Sequence, residues 1–193
     1  GIMLVSGIRA RLLLVLFLIF IVITGLSWKF FLKDYQRARV LTFFEPQKDP
    51  LGQGYNVLQS MIAIGSGGFW GKGLGHGSQS QLNFLPEQHT DFIWATIGEE
   101  WGFLGLSFIL GLFGIIFWRL FLTAIVATTN FARLFIFGFM VLLFAHISIN
   151  IGMNMGFLPV TGIPLPLLSY GGSNLVATLI AFGIVQNIVI SSK

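Results

Sequence analysis

Between Leu12 and Trp28 the chain has no Asp, Glu, Lys or Arg, nor has it any from Trp101 to Trp118 or from Leu134 to Ser192. Each stretch approaches or exceeds the roughly 20 residues that cross a bilayer core at about 1.5 Å per residue. The last is long enough for two crossings, with GFLPVTGIPLPLLSYGG as the natural break. The pattern predicts an all-α integral membrane protein, a polytopic helical bundle forming a single membrane domain over 1–193. Its four spans fall at 12–32, 93–118, 133–155 and 171–190, joined by a large loop at 33–92 and a shorter one at 156–170.

Within the large loop, YNVLQSMIAI lies between the Pro-bearing FFEPQKDPLGQG and the Gly-rich GSGGFWGKG. Its length suits a short interfacial or re-entrant helix rather than a span. Upstream, Lys29, Lys33 and Arg37 recur every four residues, on one face if the first helix continues. They read either as snorkelling anchors or as a cationic rim for an anionic headgroup. The Gly-rich run fails as a nucleotide-binding phosphate loop. In a GxxxxGK[ST] frame ending at Lys72, Ser66 stands where Gly is needed and Gly73 where Ser or Thr is needed. A flexible loop whose amides and Lys72 touch a substrate stays open.

Composition agrees with the pattern: 55% of residues are hydrophobic and 9% charged, against roughly 25% charged in soluble domains. The net charge of +4 therefore belongs to membrane interfaces, and no nucleic-acid partner is expected. Cysteine is absent, which removes disulfides and thiolate metal sites. No signal-peptide cleavage site follows the first apolar run. Arg9, Arg11, Arg119, Arg133 and Lys193 fall on one side of a four-span topology, whereas 156–170 has no Lys or Arg. The positive-inside rule then puts both termini in the cytoplasm and the loop at 33–92 outside.

All seven acids fall between Lys29 and Glu100, and four of them lie in LPEQHTDFIWATIGEEWG. Thr90 or Asp91 stands where the apolar helix begins, so Asp91 reads either as an N-cap worth about 1 kcal/mol or as a chemical group. With Glu87 and His89 it forms an acid and imidazole cluster suited to proton transfer or to a divalent cation. Glu99 and Glu100 lie about two turns inside the helix and point about 100° apart. One is expected to face the bundle interior and the other an interface or a basic partner. In NIGMNMGFLPVTGIPLPLLSYGGSN, a charge-free break at membrane depth needs protein or a water-filled cavity to satisfy its backbone. Read as a tight outer hairpin, it would leave Ser169, Tyr170, Ser173 and Asn174 as caps of the last helix.

GYNVLQSMIAIGSGGFWGKG, QSQLNFLPEQHTDFIWATIGEEWG and GFLPVTGIPLPLLSYGGSN resemble the SEDS family (FtsW/RodA/SpoVE), polytopic cell-wall polymerases of bacteria. GKGLGHGSQSQLNFLPEQHTDF is more similar to the RodA elongation branch than to the FtsW division branch. The resemblance covers nearly the whole chain but only the C-terminal part of the family's ten-helix fold, and position 1 is not Met, so a fragment is expected. It implies a peptidoglycan glycosyltransferase that polymerises lipid II outside the inner membrane and releases undecaprenyl diphosphate. The family's essential acid, the Asp of HTDF, is Asp91 here, which favours chemistry over the cap. Arg39, Lys72 or a bound divalent cation, Mg or Mn, would stabilise the leaving diphosphate. Glu87, His89, Glu99, Ser169 and Ser173 complete the substrate-binding set that the resemblance implies. Trp94 departs from the Phe of the family pattern and is expected to alter packing.

The implied partners are a class B penicillin-binding protein that supplies transpeptidation and other membrane proteins of the elongation complex. Two other readings compete. A transporter of lipid-linked precursors is favoured by the broken segment before the last span and by acids at depth. A non-catalytic membrane scaffold would tolerate any change at Asp91.

Overall fold

The computed structural model describes residues 14–19, 22–23, 26, 42, 52–81 and 89–191. Its elements are α1 (Gln53–Gly67), the single turn α2 (Ser78–Gln81), α3 (Ile93–Val126), α4 (Asn130–Asn154) and α5 (Gly172–Ser191). The described residues of the first apolar run are also helical, while most of the span expected at 12–32 lies outside the described residues. Among the described residues there is no strand, and α3, α4 and α5 are long and apolar enough to cross a membrane. Large apolar side chains such as Phe103, Phe108, Ile115, Trp118, Leu142, Phe144 and Ile180 face outward. Polar side chains are buried instead, among them Ser60, Glu99, Asn150 and Asn154. That inversion is what a lipid surround favours, because apolar surface costs nothing there and an unpaired polar group costs several kcal/mol, roughly.

α3 extends to Val126, beyond the Trp118 expected from the charge pattern. An Arg near a helix end can lay its stem along apolar surface and reach water, so Arg119 does not end the helix. Beyond it, Leu120 and Ala124 pack with Ala127, Ala132, Ile136 and Val185 in a core shared by α3, α4 and α5. α4 starts at Asn130 rather than at the expected 133 because Thr129 caps it, its side chain accepting from the Ala132 amide at 3.2 Å. α5 joins through Phe182, whose ring meets Phe139 edge-on at 5.0 Å between centroids. Its range, Gly172–Ser191, lies within a residue of the expected span. α1 is longer than the ten-residue segment read from the sequence and runs to Gly67. It lies against the outer part of α3, burying Ala63 with Phe92 and Ala95. Small residues permit that approach: a Cβ on Gly67 would strike the Gly98 carbonyl.

The 34 residues of α3 would make a rod of about 51 Å, well over a hydrocarbon core of about 30 Å. The helix is broken at Gly102, where φ is 63° and ψ −160°. A break orphans carbonyls on its N-terminal side and amides on its C-terminal side. The Gly-rich loop after α1 supplies both kinds of partner. Lys72 and Gly73 amides donate to the Glu99 and Glu100 carbonyls at 2.9 and 3.0 Å. The Phe103 and Leu104 amides donate to the Gly68 and Phe69 carbonyls at 2.9 and 3.2 Å. Four orphan groups are satisfied, which is the condition for irregular backbone at membrane depth. Only glycine fits the crossing, since a Cβ at Gly102 would collide with the Gly71 amide and one at Gly71 with the Glu100 carbonyl. Residues 93–101 thus form an outer arm, and 103–126 are long enough to cross on their own.

Candidate functional site

The outer arm of α3 begins without a capping side chain of its own, because Phe92 occupies the N-cap position. Asp91 stands one residue earlier, so the N-cap expected at Thr90 or Asp91 shifts to Phe92. Part of the capping comes from another helix: the Ala95 amide donates to Asn154 Oδ1 of α4 at 3.3 Å. Asn154 is fully buried, and so is Asn150 one turn before it. Both turn their amides toward the start of α3. Asn150 Nδ2 donates to the Asp91 carbonyl at 3.1 Å and to the Ile163 carbonyl at 2.9 Å. Asn154 Nδ2 donates to the Asp91 carbonyl at 3.0 Å and to the Asn150 carbonyl at 2.8 Å. Ser60 of α1 closes the group, its hydroxyl donating to the Asn154 carbonyl at 2.8 Å. Three elements and the loop 156–170 therefore meet at the Asp91 peptide.

The Asp91 side chain is half-buried and faces the loop at Gly162, where a Cβ would lie 3.6 Å from Oδ2. Gly162 has φ of 72°, a conformation that glycine adopts without penalty. His89 is exposed, and its carbonyl accepts from the Tyr170 amide at 2.8 Å. Beside them a cleft of about 640 Å³ is lined by His89, Ile93, residues 167–172 and Leu175. Leu167 in that lining has φ of 66°, and such a backbone costs a non-glycine residue about 1–2 kcal/mol. Ser169 supports the turn by accepting from the Leu165 amide at 2.8 Å, and Ser173 is exposed in the first turn of α5. The fold thus brings Asp91, His89, Ser169 and Ser173 to one end of the bundle, although Asp91 is not itself among the lining residues of the cleft.

Lys72 and Glu99 form a separate constellation. Glu99 is fully buried, and its Oε1 accepts from Lys72 Nζ at 2.9 Å, the Gln79 amide at 3.0 Å and Ser78 Oγ at 3.4 Å. Lys72 also donates to Ser78 Oγ at 3.1 Å. Its ammonium is therefore engaged by a carboxylate, and its side chain is 30% exposed. The sequence pointed to one acid facing the bundle interior and the other an interface or a basic partner; Glu99 is the buried one and also meets Lys72, while Glu100 is half-buried. Glu100 is held instead by the Gly75 amide, which donates to its Oε1 at 3.1 Å. Arg39 and Glu87 lie outside the described residues. Among the described residues no three His, Asp or Glu side chains could hold a metal ion, and no step below is routed through one. Trp94 packs with Phe113, Ile147 and Leu165, and its buried Nε1 has no hydrogen-bond partner among the described residues.

Asn150, Asn154 and Ser60 escaped sequence reasoning. A signal was present, since two asparagines four residues apart share one face of an apolar helix, where polar groups seek partners.

A family model described as cell cycle protein, for FtsW, RodA and SpoVE, matches residues 1–193. The peptidoglycan glycosyltransferase MrdB of Escherichia coli (strain K12) is 48% identical over 183 residues, covering 95% of this chain and 50% of that protein. The peptidoglycan glycosyltransferase RodA of Treponema pallidum (strain Nichols) is 44% identical over 157 residues, covering 81% of this chain and 36% of that protein. A solved structure, described as the structural coordination of polymerization and crosslinking by a peptidoglycan synthase complex, contains a chain 40% identical with a TM-score of 0.76. That likeness covers 99% of this chain and 52% of the other. The chain thus spans about half the length of the curated relatives it matches.

Proposed function

The chain belongs to the FtsW/RodA/SpoVE family, and from that premise we propose that it carries the catalytic carboxylate of a peptidoglycan glycosyltransferase of the elongation type. The observation that carries the reading is the Asp91 peptide, held by two buried amides beside an open cleft at one end of a membrane bundle. The substrate is lipid II. A sugar hydroxyl is a poor nucleophile at neutral pH, and the Asp91 carboxylate accepts its proton as the oxygen attacks the anomeric carbon of a second unit. The anomeric bond to the diphosphate breaks, and undecaprenyl diphosphate leaves with the bonding pair. A rigid peptide at Asp91 keeps the base in place without reorganisation during the step.

The partner in this proposal is a class B penicillin-binding protein, in keeping with a relative seen in a complex that couples polymerization to crosslinking. The test is polymerisation of purified lipid II by the full-length protein with that partner. Glycan strands are expected, and their absence under conditions where a known relative makes them would overturn the reading.

The site faces outward across the inner membrane, since Arg119 and Arg133 flank the link between α3 and α4 and the loop 156–170 has no basic residue. Leu74 and Thr128 are both exposed. A cysteine at Leu74 should react with an impermeant reagent in intact cells and one at Thr128 should not. The reverse labelling would overturn the orientation.

A further inference from the structure

Asn150 and Asn154 take no part in the bond making and breaking described above, yet both are fully buried in a bundle where polar side chains are costly. Neither is spent on its own helix alone. Of the two bonds that Asn150 Nδ2 makes, one reaches the Asp91 carbonyl across 59 positions of sequence and the other the Ile163 carbonyl 13 positions away. Asn154 adds a second donor to the same Asp91 carbonyl and presents Oδ1 to the Ala95 amide, so it holds both sides of the first turn of α3. Ser60 in turn anchors Asn154 from α1, with its hydroxyl also 3.3 Å from Oδ1. A carbonyl has two lone pairs, and here both are taken by amides that cannot turn away without leaving other buried groups unpaired.

We infer that Asn150 and Asn154 are positioning residues for the glycosyl-transfer base, fixing the Asp91 peptide so that its carboxylate stands against the 156–170 loop. The inference rests on the reading of Asp91 as that base. Asn150 bonds the two carbonyls at Asp91 and Ile163, and Ile163 follows Gly162, which the carboxylate faces. One amide therefore ties the Asp91 peptide to the loop whose later residues, 167–170, line the cleft. A side chain that only stabilised the bundle would not need to bond the residue whose carboxylate acts.

Asn150→Leu removes both donor bonds, keeps the same number and branching of side-chain heavy atoms, and adds no charge to an apolar bundle. In the full-length protein with its partner, kcat for lipid II polymerisation is expected to fall about 10- to 100-fold, the scale of a misplacement near 1 Å. KM should stay within about threefold, because no bond to substrate is lost. In an Asp91→Asn background the same change should lower the residual rate less than twofold, since residues that act as a unit are not additive. A purely structural asparagine would lower kcat by the same factor in both backgrounds, which would overturn the inference. So would normal kcat in Asn150→Leu. If that variant does not accumulate as a folded protein, Asn150→Ala, which removes the same two donor bonds without adding bulk, is read by the same criteria. Should Asp91→Asn itself retain full activity, the function reading falls first. If Asp91→Asn is inactive and Asn150→Leu normal, only the positioning role falls.

Discussion

Asp91→Asn in the full-length protein is expected to lower lipid II polymerisation about 10²- to 10⁴-fold, the usual contribution of a general base. Asn matches Asp in size and keeps an acceptor oxygen, so any hydrogen bond from a backbone amide survives the change. The peptide itself is unaffected, because Asn150 and Asn154 bond the carbonyl and not the side chain. The Ala95 amide remains satisfied by Asn154. Thermal stability and partner binding should therefore stay near those of the parent, and the loss should appear in kcat. Only the negative charge has gone. A variant that polymerises within a few-fold of the parent would remove Asp91 from the mechanism and leave Glu87 or Glu99 to be tested next.

Removing Lys72 is expected to damage the fold more than neutralising Glu99. Lys72→Met takes from the fully buried Glu99 carboxylate the ammonium that lies 2.9 Å from its Oε1, and breaking a buried pair from one side costs about 3–5 kcal/mol. Glu99→Gln keeps an oxygen for the Gln79 amide and Ser78, while Lys72, 30% exposed, can turn toward water. In thermal unfolding of the purified full-length protein, Lys72→Met should melt well below Glu99→Gln. The double change Lys72→Met with Glu99→Gln should recover most of the difference, since neither charge of the pair then remains. The break at Gly102 would feel the loss, because the Lys72 and Gly73 amides close it from the same loop. If Lys72→Met instead melts normally and raises KM for lipid II, the substrate role implied by the family motif is the correct one.

Much of the chain's character was legible without coordinates. An apolar stretch long enough to cross a bilayer and free of charge has few other stable states, which is why the ranges at 133–155 and 171–190 lie close to α4 and α5. The concentration of acids at 85–102 pointed to the end of the bundle where the candidate site lies, and the HTDF stretch pointed to Asp91. The boundary at Trp118 was less legible, because charge pattern alone does not say whether Arg119 ends a helix or snorkels from it. The part played by Glu99 was legible only in outline. Depth along a helix implied a partner for it, but that partner comes from a loop 27 positions earlier.

The sequence by itself determined the membrane class and the helical architecture and pointed to Asp91 as the candidate acid, because hydropathy and motif act locally along the chain. Tertiary structure alone decided where α3 breaks and what holds Asp91. Glycines at 98, 102, 105, 111 and 114 all punctuate the same apolar run, and nothing local distinguishes the second of them. The break forms at Gly102 because the loop after α1 reaches that point with two amides and two carbonyls for its four orphan groups. Likewise, an asparagine on an apolar helix announces that it needs a partner but not which one. The Asp91 carbonyl lies 59 positions from Asn150 and 63 from Asn154, and only the packing of α1, α3 and α4 brings them within hydrogen-bonding distance.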